Sequence, residues 1–472
     1  MDAVKQKVNV NAKTFLWYFF TISVGFIFYL ICGLELRSLL IISLIFFGIS
    51  PLIIAIFNKK ADALSPSVLL PFTFTLYALG PLNVAGQYSN DIIIYYLFLQ
   101  LIGLISMRVG LYCSIKSRAK YYQFNYNDPP PKTLILLTAV GLFFLSLISL
   151  ATYFHAFGGL SGFIKTGYGG QFYLVFKEAP VIGSGFEWGL LASILIIFFG
   201  SKRRSKIYLF IGGATFLFFT FILLLTGRRH QFIYPFLFGF VLFHYGHKKI
   251  SSSFIAVGIL LGISIMQYYA LARYFLSGGL FYALTQVWPA ILNNPSLVAP
   301  WVANEFRMPA ASLLEVLQFG GPGLLFGRSY IAVLGAPIPF LGRLFNFVSF
   351  DVNTWRLANL YPDILAAGGG LGFSPVTEGY INFGLIGIIL HMFLYGYIIG
   401  KIYFCLLSKP TISYLLLFAG SLPVFMLDGM RVHSASFSYA WMRTYLMPWI
   451  IFWLIKIFVS NTAQKAASKE DR

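Results

Sequence analysis

The sequence predicts an all-α polytopic membrane protein with about twelve transmembrane helices and one large extramembrane loop. Hydrophobic residues make up 58% of the 472 residues and charged residues only 10%, whereas a soluble domain carries about 25% charged residues. Apolar runs long enough to cross a bilayer recur along the chain. Lys and Arg are unevenly distributed between alternate loops. This composition excludes an ordinary soluble enzyme and a disordered chain.

Apolar runs bounded by charged or turn residues define the helices. We place them near 14–34, 37–57, 67–84, 91–114, 133–154, 184–200, 207–226, 231–247, 251–272, 378–400, 411–427 and 441–459. The third contains Pro66, Pro71 and Pro81, which predicts a broken or tilted helix. The basic N-terminus is followed by no small-residue cleavage site, so we expect the first helix to be retained.

One segment lacks the regular succession of apolar runs. Residues 273–377 are rich in Pro, Gly and Asn, and we interpret them as a large outside loop with short amphipathic helices, part of which (323–337) dips into the bilayer edge. The expected organisation is therefore nine helices in 1–272, the loop in 273–377, and three helices with a cytoplasmic tail in 378–472.

Orientation follows from the basic residues. With a cytoplasmic N-terminus, 20 Lys and Arg residues fall in inside segments and 12 in outside segments, as the positive-inside rule requires. Both termini are then cytoplasmic. The net charge of +19 is thereby explained as a topology signal, and we expect no nucleic-acid partner.

The outside basic residues are mostly arginine, ten of the twelve. Arginine presents a planar fork of donors that suits phosphate and carboxylate groups. The set predicts an outer-face site for an anionic, phosphate-bearing, lipid-linked substrate. The alternative is that these arginines pair with headgroups and with the outside acids, which are Glu305, Glu315, Asp351, Asp363 and Glu378.

The sharpest local feature is the short segment Thr226–Gln231, with Arg228 and Arg229 between two apolar helices. Two adjacent guanidiniums there could bind a pyrophosphate; the alternative is an interfacial anchor for lipid headgroups. We expect the neighbouring His230 to be neutral. In the large loop, Arg307 and Arg328 stand among aromatic residues and are further candidates for substrate binding, as are Arg431 and Arg443 later in the chain.

Two later segments carry acid–base candidates. Glu378 opens the tenth predicted helix, where it is either a base or acceptor for a sugar hydroxyl or only a favourable charge at a helix N-terminus. His433 follows Asp428 and Arg431 in one outside loop, with Arg443 on the next helix. His433 could act as a general base, and Asp428 with Arg431 could equally be a structural pair.

Several signatures are missing from the sequence. The three cysteines form no CxxC pair, and no zinc-protease, Walker or serine-hydrolase motif occurs, so we expect no metal and no cofactor. Few ionisable residues lie within the predicted spans; Arg108 and His391 are the best candidates. A coupled transporter usually needs more of them.

Four stretches resemble the Wzy-type polymerases of O-antigen and capsule repeat units. They are EFRMPAASLLEVLQFGGPGLLFGRSY, followed by PIP (305–339), GFSPVTEGYINFGLIGIIL (372–390), and TGRR with MRVHSASF (226–229 and 430–437). The resemblance implies a metal-independent, inverting glycosyltransferase of the inner membrane, with a glycosyltransferase-C-like fold shared with O-antigen ligases. It implies transfer of a growing glycan from undecaprenyl pyrophosphate to the next lipid-linked unit.

The resemblance also implies roles and partners. Arg228, Arg229 and Arg328 would contact the pyrophosphate, and Glu378 or His433 would serve catalysis. The partners would be undecaprenyl-pyrophosphate-linked oligosaccharides, the bilayer and a chain-length regulator. The alternatives are a ligase that attaches the finished glycan, a lipid-linked oligosaccharide transporter, and a scaffolding membrane protein.

Overall fold

The structure is a computed structural model. It describes residues 35–57, 62–114, 132–162, 185, 187–225, 229–272, 275, 280–293, 298–335, 350–366 and 370–470. These residues form helices, and the described ranges contain no β-strand.

The first half of the described chain consists of apolar helices. In order these are α1 Leu36–Phe57, α2 Pro66–Leu79, α3 Asn90–Ser114, α4 Lys132–Ala156, α5 Trp188–Arg203, α6 Lys206–Leu225, α7 Arg229–Gly246 and α8 Ser252–Ala272.

The second half mixes short and long helices. These are α9 Leu280–Asn293, α10 Val298–Phe319, α11 Arg328–Gly335, α12 Val352–Leu360, α13 Pro362–Ala366, α14 Pro375–Ser408, α15 Ile412–Met426, α16 Asp428–Arg431, α17 Ser434–Trp441 and α18 Met447–Glu470.

Nine helical stretches among the described residues are long and apolar enough to span a membrane. They coincide with nine of the expected spans, while α5 and α7 provide shorter apolar helices where two more are expected. The first expected helix, 14–34, lies outside the described residues. A multi-pass membrane protein is therefore confirmed, and the number twelve stays a prediction. The proline-rich third span changes from α2 to a 3-10 turn, Gly80–Gln87.

The close packing of α3 against α14 depends on glycine. A Cβ on Gly396 would lie 2.0 Å from the carbonyl oxygen of Met107, and one on Gly110 would lie 2.0 Å from that of Phe393. Only residues without a side chain let two helix backbones approach this closely. The contact fixes α14, on which the candidate site is built.

Within the segment expected to be an outside loop, α10 packs into the helical core. Ala310, Leu313 and Leu314 are buried, and Phe306 contacts Tyr77 of α2 edge to face, with ring centroids 5.2 Å apart. The packing of α10 brings the loop segment down onto the membrane helices and forms one wall of the site.

A buried ion pair joins α10 to α12. Arg356 donates from Nε and Nη2 to the two oxygens of Glu315, at 2.6 and 2.7 Å, and from Nη1 to the carbonyl of Gly372 at 2.8 Å. Arg356 is only 1% exposed. This arginine, predicted to lie outside, therefore pairs with an acid, as the alternative interpretation of the arginine set proposed.

At the opposite, expected cytoplasmic end, Asp62 ties three elements together. Its carboxylate accepts hydrogen bonds from Tyr245 of α7 and Tyr403 of α14, and His244 Nε2 lies 3.4 Å away. Burial acts to raise the pKa of Asp62, but the hydrogen bonds from His244 and the two tyrosines, with the charge of His244, together hold it below the ordinary 3.8.

Candidate functional site

The site is organised by a break in α14. Phe383 (φ −143°, ψ 24°) and Gly384 (φ 61°, ψ −142°) leave the helical conformation, and glycine is the residue that adopts such a positive φ readily. A Cβ on Gly387 would lie 2.0 Å from the carbonyl oxygen of Gly379. Residues 375–382 are therefore a short helix that folds back onto the start of the long helix 385–408.

The N-terminus of the short helix, residues 375–382, is capped by residues that favour helix initiation. The Ser374 hydroxyl accepts a hydrogen bond from the amide of Val376 at 3.2 Å, and Pro375 occupies the first turn, where its missing N–H costs nothing. Thr377 packs inward and its hydroxyl lies 2.7 Å from that of Ser312 on α10. The helix is thus held against α10.

Glu378 lies at the centre of this arrangement and is completely buried. Its Oε1 accepts a hydrogen bond from the hydroxyl of Ser329 at 2.8 Å. Its Oε2 accepts two, from the amide and the hydroxyl of Ser434, both at 2.7 Å. One carboxylate therefore connects α14 with α11 and with the start of α17.

The burial of Glu378 determines what it can do. A base must reach the proton that it removes, and this side chain is enclosed. We therefore interpret Glu378 as the group that positions its neighbours, Arg328 beside Ser329 and His433 beside Ser434.

His391 makes a second set of hydrogen-bonding contacts near the Glu378 carboxylate. His391 Nε2 lies 3.3 Å from the Ser434 hydroxyl, and its Nδ1 lies 3.0 Å from the hydroxyl of Tyr330. His391 thus links the same two elements, α11 and α17, through the long part of α14.

The loop before α11 clamps the end of the short helix. The amides of Leu325 and Phe326 donate to the carbonyls of Ile381 and Asn382, at 2.9 and 3.1 Å. The Gly327 amide donates to Asn382 Oδ1 at 3.0 Å, and Asn382 Nδ2 donates to the Ser329 hydroxyl at 2.8 Å. The loop therefore satisfies carbonyls that the break in α14 leaves without helical partners.

Arg328 is the exposed cation of the site. It is the first residue of α11, adjacent to Ser329, and its side chain is exposed. No acidic side chain among the described residues pairs with Arg328 or with the half-buried Arg307 of α10. Both guanidiniums can therefore take an anionic ligand.

His433 lies beside the same site and is largely buried, with 11% of its side chain exposed. Its Nε2 is 3.9 Å from Oδ1 of Asp351 and 3.3 Å from the Ser436 hydroxyl. Asp351 caps α12 by accepting hydrogen bonds from the amides of Asn353 and Thr354. At 3.9 Å the carboxylate does not hydrogen-bond the imidazole, but its charge can stabilise the imidazolium that forms when His433 accepts a proton.

The loop that carries His433 contacts the segment before Glu378. The Phe373 amide donates to the carbonyl of Arg431 at 2.9 Å, and Gly372 (φ 77°) lets the two backbones approach. The two acid–base segments identified in the sequence therefore lie side by side.

Arg431 and Arg443 both have carboxylate partners. Arg431 Nε lies 3.4 Å from Asp428 Oδ1, the structural pair proposed as an alternative from the sequence. Arg443 Nη2 lies 3.2 Å from Oε1 of the buried Glu187, and Nη1 donates to the Tyr439 hydroxyl at 2.8 Å. These pairs leave Arg328 and Arg307 as the better candidates for substrate contacts.

Other candidates lie beyond what the structure describes. Arg228 is outside the described residues, as are the side chains of Arg229, His230 and Glu305 and the whole of Arg343. The described part contains no group of three His, Cys, Asp or Glu side chains arranged to hold a metal ion.

Sequence reasoning missed the residues that connect the site. Ser329, Ser434 and Asn382 are ordinary polar residues, and their only signal is position: each is next to or one helical turn from a residue that was identified. Asp351 was noted only as one of the outside acids, because nothing in sequence places it opposite His433.

Comparison with known proteins agrees with the resemblance seen in the sequence. The family model described as O-antigen polysaccharide polymerase Wzy matches residues 338–466, which contain Glu378, His391, His433 and Ser434. The match confirms the resemblance to Wzy-type polymerases over this segment and supports an O-antigen polymerase role in broad terms. No curated protein and no solved structure matches the chain.

Proposed function

We propose that this membrane protein polymerises oligosaccharide repeat units carried on undecaprenyl pyrophosphate, at the outer face of the cytoplasmic membrane. One observation carries the proposal: the buried carboxylate of Glu378 bonds to Ser329 and Ser434, the sequence neighbours of the exposed Arg328 and of His433, and thereby fixes the backbone beside both. These are the two groups that such a transfer requires, and Glu378 and His433 lie in the segment that matches the polymerase family.

The first requirement is to hold the leaving group. When the glycosidic bond to the carrier breaks, negative charge grows on the pyrophosphate, and preorganised guanidiniums stabilise it. Arg328 and Arg307 can supply this without a metal ion. Arg228 and Arg229 remain predicted contacts of the same pyrophosphate.

The second requirement is to activate the acceptor hydroxyl. In our proposal the hydroxyl of the incoming lipid-linked unit gives its proton to His433 as its oxygen attacks the anomeric carbon of the donor glycan. The bond between that carbon and the pyrophosphate breaks, and undecaprenyl pyrophosphate leaves with the bonding electrons. Displacement from the opposite face inverts the anomeric centre.

The membrane arrangement is part of the proposal. Segment 273–377 would face the outside, both termini would be cytoplasmic, and both lipid-linked substrates would reach the site from the outer leaflet. The chain-length regulator remains a predicted partner.

The test is a deletion strain that keeps its glycan locus, complemented with wild type, Arg328→Ala or Arg37→Ala. Arg37 is the matched control, since it is another predicted outside arginine and lies on α1. We expect a ladder of long glycans with wild type and the control, and single repeat units with the deletion and with Arg328→Ala.

Two outcomes would overturn the proposal. Long chains that build in the deletion strain but stay on the lipid carrier would identify a ligase. Repeat units that never reach the outer face would identify a transporter.

A further inference from the structure

The loop between α10 and α11 has an unusual backbone. Gly320, Gly323 and Gly327 all have positive φ angles, and so does Phe326, at 46°. A bulky residue rarely adopts this conformation. Here it is enforced by the amides of Leu325, Phe326 and Gly327, all of which donate to the end of the short helix.

The consequence is that large apolar side chains are held outward. Phe326 is 73% exposed, Phe319 64% and Leu324 55%. Phe383 and Ile386, at the break in α14 that this loop contacts, are exposed as well. The loop itself lies outside the stretches that could span a membrane, whereas Phe383 and Ile386 lie within one of them, Pro375–Ser408, so this apolar surface adjoins a candidate span.

Exposed apolar side chains in a membrane protein contact lipid or another protein, and here they lie beside the candidate site. The adjacent Arg328 distinguishes between a protein and a lipid partner. Arg328 directly follows the loop, is exposed, and pairs with no acid among the described residues. Apolar side chains next to one cation complement an amphiphile with a hydrocarbon chain and a phosphate.

The surface is also continuous with the candidate site. Gly327 and Ser329 both bond to Asn382, and Ser329 donates to Glu378. A phosphate at Arg328 would therefore sit at the site itself, with its hydrocarbon chain against the loop.

We propose that Phe319, Leu324 and Phe326 form a docking surface for the isoprenoid chain of the lipid-linked substrate, with Arg328 at its phosphate. This inference rests on the proposed function and adds the place where the lipid is recognised. The rigid backbone keeps the rings presented before the substrate arrives, which lowers the entropic cost of binding.

The first experiment uses full-length protein reconstituted in vesicles. The donor is the repeat unit on its natural long isoprenoid pyrophosphate, or the same unit on a short, water-soluble isoprenoid. The variant is Phe326→Asn, because asparagine tolerates a positive φ. The matched control is Phe281→Asn, another highly exposed ring, on α9.

We expect Phe326→Asn to raise KM for the long-chain donor about tenfold. We expect kcat, and KM for the short-chain donor, to stay unchanged. Phe281→Asn should leave kcat and the KM values for both donors unchanged. An unchanged KM for the long-chain donor would overturn the docking surface. If wild type turned over neither donor, the proposed function itself would be wrong.

The second experiment identifies the occupant directly. A photoreactive phenylalanine derivative at position 324 should cross-link to the isoprenoid chain of the added substrate, and excess unlabelled substrate should compete. Cross-links only to bulk phospholipid, or only to another segment of the chain, such as 336–349, would contradict the proposal.

Discussion

Ser434 donates two hydrogen bonds to one oxygen of Glu378, from its amide and from its hydroxyl, each at 2.7 Å. A residue adjacent to His433 is thereby fixed to the folded-back helix of α14. The other oxygen of Glu378 holds Ser329, the neighbour of Arg328. The distance between the histidine and the exposed arginine is thus set through a carboxylate that is itself enclosed.

Glu378→Gln should separate a positioning role from a purely structural one. The amide nitrogen of Gln would face either the Ser434 N–H or the Ser329 hydroxyl, and a buried donor that loses its acceptor costs about 1–3 kcal/mol. We expect a lower unfolding temperature and a loss of kcat. Calorimetry and turnover on the purified variant would measure both.

The control for this substitution is Glu35→Gln, which makes the same chemical change at an exposed residue. It should leave stability and turnover as in wild type. Equal stability of Glu378→Gln and wild type would show that the hydrogen bonds described here do not hold the site.

Asp351→Asn tests the pairing of His433 with a carboxylate. Asparagine caps a helix as well as aspartate does, so α12 should keep its N-terminus and its stability. The negative charge near His433 is lost, and we expect kcat to fall roughly tenfold with KM unchanged. Steady-state kinetics would measure kcat and KM, and thermal unfolding would measure stability. An unchanged kcat would mean that Asp351 acts only as the N-terminal cap of α12.

Gly387→Ala tests the fold-back of the short helix. The new methyl group would overlap the carbonyl oxygen of Gly379, so the two segments must separate. We expect destabilisation of about 1–3 kcal/mol with loss of activity. Gly141→Ala on α4 meets nothing within 4 Å and should be neutral or slightly stabilising. Similar unfolding curves for the two variants would argue against the fold-back.

Asp62 predicts a specific dependence of stability on pH. Its pKa in the folded protein lies below 3.8. The stability that this carboxylate contributes is therefore fully present above the ordinary pKa and is lost as pH falls through the folded one. The difference in unfolding temperature between wild type and Asp62→Asn should shrink as the pH falls below about 4. A difference that does not change down to about pH 3 would contradict this, with the exposed Asp363→Asn as the control.

The helical membrane architecture was predictable because long apolar runs carry a strong signal. The two acid–base segments were also found, since Glu378 and His433 stand out in apolar surroundings. Their contact was not predictable, because it depends on the reversal at Phe383–Gly384, which periodicity reads as one continuous helix. The sequence named Glu315 among the possible partners of the outside arginines, but it could not assign Glu315 to Arg356 or Glu187 to Arg443, because these pairs are distant in sequence and meet only through packing.

The most direct test of the central claim is polymerisation by the purified protein. Wild type, Arg328→Ala and Arg328→Lys would be reconstituted in vesicles with lipid-linked repeat units, and the products separated on a gel. We predict a ladder with wild type, a weaker one with Lys, which keeps the charge but not the fork of donors, and none with Ala although it folds. A full ladder with Arg328→Ala, or no ladder with wild type, would contradict the account.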